Sequence, residues 1–287
     1  MLSDRVIKGN LSDKGKGESG VAAFKERTLG ATGLIVGPLG LAASYGAPAE
    51  AFEEAFERGC NYFYLGSGRH RAGMKRAIRR LCGQGRRDKL VVAIQSYARY
   101  GLLMEYFFKR NLRAMGLVQA DILILGWHNR RPSERLIERA LALREKGLFR
   151  FLGMSGHNRG LFPQMAGDGK FDLFHIRYNA AHRGAESETF PYLTGDSRPG
   201  IVTYTATRWG QLLDPGKIPP GESAPAPSDC YRFVLSNPAV DICLCGPRNI
   251  RQMREALATL ELGPLGKEDM ERMKRIGDYI RSTNRRF

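Results

Sequence analysis

Five histidines are the side chains of this chain best suited to acid–base or metal chemistry. Each stands in or shortly after an apolar run: His70 after CNYFYL, His128 after ADILIL, His157 after FRFLGMS, His175 inside FDLFHIR and His182 just beyond it. Imidazoles brought to one place could hold a divalent ion and activate water, the chemistry of a metal-dependent hydrolase. The spacing contains neither HxH nor HExxH, and acidic co-ligands are scarce at those positions, so no metal is expected. Cys60, Cys82, Cys230, Cys243 and Cys245 form no CxxC pair and read as reduced, mostly buried thiols. The stretch DILILGWHNRRP (121–132) poses the sharpest question. Its apolar run ends at Gly126 and hands Trp127 and His128 to a basic loop stopped by Pro132, so the end of the run carries no reactive side chain.

These residues need elements to position them. Strand-like runs fall at 36–42, 60–65, 89–95, 120–125, 149–155, 171–177, 200–205 and 240–245, and helical patterns at 48–58, 71–82, 102–115, 132–146, 157–166, 185–193, 228–236 and 248–260. Near-continuous apolar strands separated by helices imply parallel pairing buried on both faces. Eight such units predict an α/β fold, a single (β/α)8 TIM barrel spanning 23–287, with an extra C-terminal helix at 267–282. Residues 1–22, rich in Lys, Gly and Ser, are expected to form a flexible basic arm. The longest irregular stretch, 210–228, follows the seventh strand. In such barrels chemistry sits at the C-terminal ends of the strands, where all five histidines fall.

Charge narrows the partners. With 45 Lys and Arg against 29 Asp and Glu, the formal charge is +16. The basic residues are scattered from end to end with no aromatic-interleaved motif, so a solvated surface accounts for them better than a nucleic-acid-binding face. A positive field still favours an anionic small molecule or a dinucleotide. No apolar run is long enough to span a membrane and the N-terminus has no secretory core, so the expectation is a cytoplasmic protein without a membrane partner.

A resemblance rests on an ordered series of segments: RTLGATGLIVGPLGLA (27–42), AFEEAFERGCNYFY (51–64), RDKLVVAIQ (87–95), ADILILGWH (120–128), KGLFRFLGMSGHN (146–158), FDLFHIRYNAA (171–181), IVTYTATRWGQLL (201–213) and SNPAVDICLCGPRNIRQMREAL (236–257). Together these resemble the aldo-keto reductase family over about residues 25–265. The resemblance implies a (β/α)8 barrel, an oxidoreductase activity and NADP(H) as cofactor.

It also implies an Asp, Tyr, Lys, His tetrad at the barrel mouth, in which a tuned tyrosine protonates the carbonyl oxygen. This sequence departs from that pattern. Tyr64 stands at the Asp position, Gln95 at the Lys and Gly126 at the His, and the loop that should carry the tyrosine (67–73) has none. Substitutes would come from Tyr64, His70, Tyr97 or His128. On the cofactor side the resemblance assigns Tyr204 to stacking on the nicotinamide and Ser155 to its carboxamide, whose usual Asn and Gln companions are Gly156 and His175. It assigns Gly246, Arg248, Asn249 and Gln252 to the adenosine end, with Arg248 suited to a 2'-phosphate. The 210–228 stretch matches a lid over the pyrophosphate. Three readings stay open: a nucleotide-binding homologue with lost or rebuilt catalysis, a working reductase with relocated acid groups, and a barrel recruited to binding or other chemistry.

Overall fold

The computed structural model describes residues 23–66 and 68–283. Two short strands, β1 (Arg27–Thr28) and β2 (Ile35–Val36), pair antiparallel. Eight further strands close into a parallel barrel in the order β10-β3-β4-β5-β6-β7-β8-β9: β3 (Leu39–Ala42), β4 (Tyr62–Leu65), β5 (Val91–Ser96), β6 (Ala120–Leu125), β7 (Phe149–Gly156), β8 (Leu173–Arg177), β9 (Gly200–Tyr204) and β10 (Ile242–Cys245). The helices are α1 (Ala49–Glu57), α2 (Ala72–Gly83), α3 (Gly101–Met115), α4 (Glu134–Glu145), α5 (Leu161–Gly167), α6 (Ala185–Glu188), α7 (Pro227–Leu235), α8 (Ile250–Leu257), α9 (Thr259–Leu262) and α10 (Lys267–Thr283). The expected barrel and the extra C-terminal helix are both present. The expected arm at 1–22 lies outside the described residues.

Two apolar layers hold the barrel. Side chains alternate along each strand, so Phe63 packs outward against the α1 residues Phe52 and Phe56, while Tyr62 and Tyr64 point inward. The inner layer combines Tyr62, Val91, Ala93, Ile122, Ile124, Leu173, Val202 and Ile242. Gly40 makes room for it, because a Cβ there would lie 2.7 Å from Ile242 and 3.2 Å from the Tyr62 ring. The run 36–42 is not one strand. Val36 ends the hairpin, and Pro38, which has no N–H to donate to a ladder, stands between it and β3. Leu29, Leu34 and Val36 of the hairpin close the base of the inner layer, with the Ala31 N–H bonded to the Arg198 carbonyl just before β9. The helical pattern at 248–260 likewise divides, into α8 and α9.

A repeated device fixes the base. Asn61, Asp121, Asp172 and Asp241 stand at the start of β4, β6, β8 and β10. Each side-chain oxygen accepts a backbone N–H on or just before the preceding strand: Gly37 (3.0 Å), Val92 (2.8 Å), Leu152 (2.7 Å) and Ile201 (2.8 Å). Arginines neutralise the three carboxylates, Arg87 at Asp121, Arg144 at Asp172 and Arg198 at Asp241, the last through two bonds of 2.9 and 2.5 Å. A carboxylate that accepts a backbone N–H and pairs with a guanidinium is stable when buried, as Asp121 and Asp241 are, or half-buried, as Asp172 is.

Candidate functional site

A cavity of about 810 Å³ opens at the C-terminal ends of the strands. Its floor is made by the inward-facing residues that end β4, β5, β7 and β8. The Tyr64 hydroxyl donates to Gln95 Oε1, and the Ser155 hydroxyl approaches the same oxygen at 3.5 Å. The Gln95 side chain lies across the end of β6, so that a Cβ on Gly126 would come within 2.5 Å of Gln95 Nε2 and 2.8 Å of its Cγ. What stands at the end of DILILG is therefore its neighbour's amide. His175 is sealed beneath, its Nε2 2.8 Å from the Tyr62 hydroxyl and its ring 4.9 Å from that of Tyr64.

Electrostatics make this floor neutral. Burial raises the Tyr64 phenol well above the usual tyrosine range, and the neighbouring phenols Tyr97, Tyr62 and Tyr204 push the same way. Burial pulls His175 down to about 3. Among the described residues no cation stands against Tyr64 to favour its ionised form, so the phenol acts as a fixed hydrogen-bond donor.

The rim is held in unusual backbone conformations. Trp127, Thr205, Arg208 and Trp209 all adopt positive φ (57°, 61°, 48° and 53°), a region that a β-branched or bulky residue enters only when its surroundings impose it. The restraint is visible. Trp127 donates its N–H to Ser155 Oγ (3.0 Å) and its carbonyl accepts from Arg99 (2.9 Å), which also grips the Gly126 carbonyl (3.0 Å). Asn179 donates to the Thr205 carbonyl at 2.8 Å. Trp127, Thr205 and Trp209 line the cavity.

Tyr204 ends β9 with its ring against the cavity and its hydroxyl bonded to the Gly156 carbonyl at 2.9 Å. That bond fixes an aromatic platform opposite Ser155. The far end of the cavity is built by Gly246, Arg248 and Gln252 at the start of α8. Asn249 caps this helix, accepting the Gln252 N–H at 2.9 Å, and Gln252 Oε1 accepts the Arg248 N–H at 3.0 Å. Arg248 and Gln252 line the cavity here together with Glu255, whose carboxylate pairs with Arg251 at 2.6 Å. Gly246 lets the partly exposed Tyr45 ring lie against the backbone, since a Cβ there would meet that ring at 2.4 Å.

The structure thus gathers Tyr64, Gln95, Tyr97, Ser155, His175, Tyr204, Gly246, Arg248 and Gln252 around one cavity. It leaves others out of the lining. His70 is exposed beside Gly46, and Asn249 works through the helix cap. His128 is buried behind the rim, where burial and the Arg99 guanidinium 3.2 Å away lower it to about 4. His182 pairs with Asn179 at 3.2 Å. Among the described residues no three His, Cys, Asp or Glu side chains meet as metal ligands. The 210–228 stretch contributes Gly210, Leu213 and Pro227 to the wall, while Glu222 is anchored to Arg272 and Arg275 of α10. Sequence reasoning missed Tyr45, Tyr62 and Trp209 as builders of the site. A tryptophan within a few residues of a strand end, two after β6 in GWH and five after β9 in RWG, was the available signal for the rim.

Among solved structures, the barrel superposes on aldo-keto reductase AKR11C1 from Bacillus halodurans in its holo form. The TM-score is 0.72 at 18% identity, covering 88% of this chain and 96% of that one. The chain has the aldo-keto reductase fold. The apo form of the same reductase gives a TM-score of 0.70 over the same shares of both chains. No protein-family model and no curated protein matches the sequence. At 18% identity the aldo-keto reductase likeness is one of fold, and function has to be argued from the cavity.

Proposed function

We propose that this chain is an oxidoreductase homologue that binds NADP(H) along the β7, β9 and β10 side of its barrel mouth and has lost the tyrosine-assisted route of carbonyl reduction. One observation carries the reading. A single cavity joins a neutral, aromatic end at Tyr204 and Ser155 to a charged end at Arg248, Gln252 and Glu255, where the Glu255 carboxylate is paired with Arg251 at 2.6 Å and Arg248 has no ion-pair partner among the described residues, while its floor holds only uncharged groups. A dinucleotide phosphate has the matching polarity, with a neutral carboxamide-bearing ring at one end and a 2'-phosphate at the other. Its volume class also fits, since ligand cavities run to several hundred Å³. Tyr204 would give the nicotinamide its stacking face, Ser155 would meet the carboxamide, and Arg248 would pair with the 2'-phosphate beside the α8 N-terminus. The bound group supplies a transferable hydride. The chain's own residues would orient it and exclude water, with the bonded Tyr64 and Gln95 as a neutral floor beneath it.

A working oxidoreductase with Tyr64 as the proton donor is the second reading, favoured by the position of Tyr64 in the cavity floor. Titration with NADPH, followed by nicotinamide fluorescence and thermal stability together, tests the first. Micromolar binding is expected, with a rise in melting midpoint as linkage requires. Arg248→Ala is expected to weaken NADPH about tenfold or more and to leave NADH almost unchanged. No binding at millimolar NADPH or NADH would end the proposal. Carbonyl turnover abolished by Tyr64→Phe, with NADPH binding intact, would establish the second reading.

A further inference from the structure

Away from the mouth, an apolar surface and a cationic cleft meet on α3. The inner face of that helix, Met104, Phe108, Leu112 and Met115, is buried against the barrel. Its first turns then present a second apolar face to solvent: Leu102, Leu103, Tyr106 and Phe107 are 78, 48, 55 and 46% exposed. Four large apolar residues on two turns form a contiguous exposed patch, which a protein surface rarely carries without use.

Phe107 belongs to both features. With Arg71, Lys75, Arg110 and Asn111 it lines a cleft of about 180 Å³ between α2 and α3, several times the roughly 30 Å³ of a water molecule. Lys75 donates to Asn111 at 3.1 Å and Arg71 to the Gly66 carbonyl at 3.0 Å, so both are held in place by neutral groups. None of the ion pairs among the described residues includes Arg71, Lys75, Arg79 or Arg110. Residues 71, 75 and 79 are spaced four apart, which stacks like charges along one face of α2 and destabilises the isolated helix. Partial burial and the neighbouring guanidinium groups lower the Lys75 ammonium below its ordinary range. Such an arrangement calls for an external anion.

We propose that α2 and α3 dock on an anionic phospholipid bilayer, with the apolar first turns of α3 entering the interface and the Arg71–Lys75–Arg110 cleft taking a lipid phosphate. Charge and polarity select this occupant. A second copy of the chain would bring two such cationic faces together, and a nucleic-acid backbone would leave Leu102 and Leu103 against water. An apolar stripe bordered by cations suits the boundary between acyl chains and anionic headgroups. No helix among the described residues is long and apolar enough to cross a membrane, and docking of this kind requires none. It departs from the sequence expectation of no membrane partner, which rested on the lack of a span.

Sedimentation of the full chain with vesicles of phosphatidylcholine, alone or with phosphatidylserine, tests the proposal. Binding is expected only with the anionic lipid and should fall as salt rises. Leu103→Glu combined with Phe107→Glu should reduce partitioning about tenfold or more. Lys75→Gln and Arg110→Gln should each reduce it about fivefold, and Arg281→Gln at the end of α10 should leave it unchanged. Unaltered melting midpoints verify that the variants fold. The proposal fails if anionic vesicles do not bind at low salt, or if the Leu103 and Phe107 substitutions change nothing, since binding would then lie elsewhere. It fails equally if inorganic phosphate protects the cleft thermally without vesicle binding, or if light scattering shows a dimer that Leu103→Glu dissolves.

Discussion

The end of β6 offers a quantitative test of how this mouth is built. Gly126→Ala adds one methyl group at a position whose backbone accepts alanine, since Gly126 is not among the residues with positive φ. The loss of chain freedom in the unfolded state would by itself stabilise the variant by about 0.4–1 kcal/mol. In the folded barrel, the new carbon would sit 2.5–2.9 Å from three atoms of Gln95. The Gln95 side chain must swing away, breaking the bond from the Tyr64 hydroxyl and leaving a buried donor unsatisfied. That loss is of the order of 1–3 kcal/mol. The balance is a net destabilisation of up to about 2.5 kcal/mol, centred on about 1 kcal/mol, which for a chain of this size lowers the melting midpoint by about 4 °C at most. The decisive assay is a double-mutant cycle by urea denaturation. Gln95→Ser removes the obstructing amide, so in its presence Gly126→Ala should show only its gain of about 0.4–1 kcal/mol, giving a coupling of about 1–3 kcal/mol between the two sites. Additive effects, or a Gly126→Ala variant more stable than the parent by the full gain of about 0.4–1 kcal/mol, would show that Gln95 does not occupy the end of the strand.

Two further outcomes follow from the buried groups. Burial holds His175 at about 3, and burial with Arg99 holds His128 at about 4; their unfolded rings take up protons near pH 6.5. Stability is therefore complete above about pH 6.5 and falls as the pH drops toward the folded values, by at most about 1.4 kcal/mol per pH unit for each ring. Burial, with Arg177, lowers His157 as well, so urea melts between about pH 7 and 5 should show this slope reduced but not abolished in His175→Gln, and an unchanged slope would mean that His175 is not buried as a neutral ring. Tyr64→Phe deletes the donor to Gln95 and should cost about 1–2 kcal/mol of stability with NADPH affinity unchanged; a large loss of affinity would show that the hydroxyl faces the cofactor instead.

The barrel was legible because its signal is repeated: eight apolar runs of strand length, each followed by a helical pattern, leave few other folds. The hairpin at the base was not, since β1 and β2 are two residues each and carry no period of their own. The cavity-lining residues were readable to the extent that they sit at strand ends, as Tyr64, Gln95, Ser155, His175 and Tyr204 do. What lies between such residues was hidden. That Gln95 fills the space before Gly126, that His175 turns to Tyr62, and that His128 is drawn behind the rim by Arg99 are all contacts between different strands or the loops that follow them. They depend on register and tilt, which a linear pattern does not encode. The face of α3 escaped notice for a related reason, because a helix apolar on both sides reads as merely buried.

The four bonds at the base divide the chain in a way that its mouth does not reveal. Each joins an odd-numbered strand, or the residue just before it, to the even-numbered strand that follows, so the barrel is a ring of four sewn pairs. Gly116 and Gly147 are both turn glycines with similar φ, 69° and 73°, and look equally tolerant of a break. A cut at Gly147 leaves two whole pairs on each fragment, whereas one at Gly116 parts Val92 from Asp121. Co-expressed halves severed at Gly147 should reassemble into a folded barrel, and those severed at Gly116 should do so poorly. Integrity of the scaffold then resides in the end remote from any ligand, leaving the opposite end free to change its chemistry.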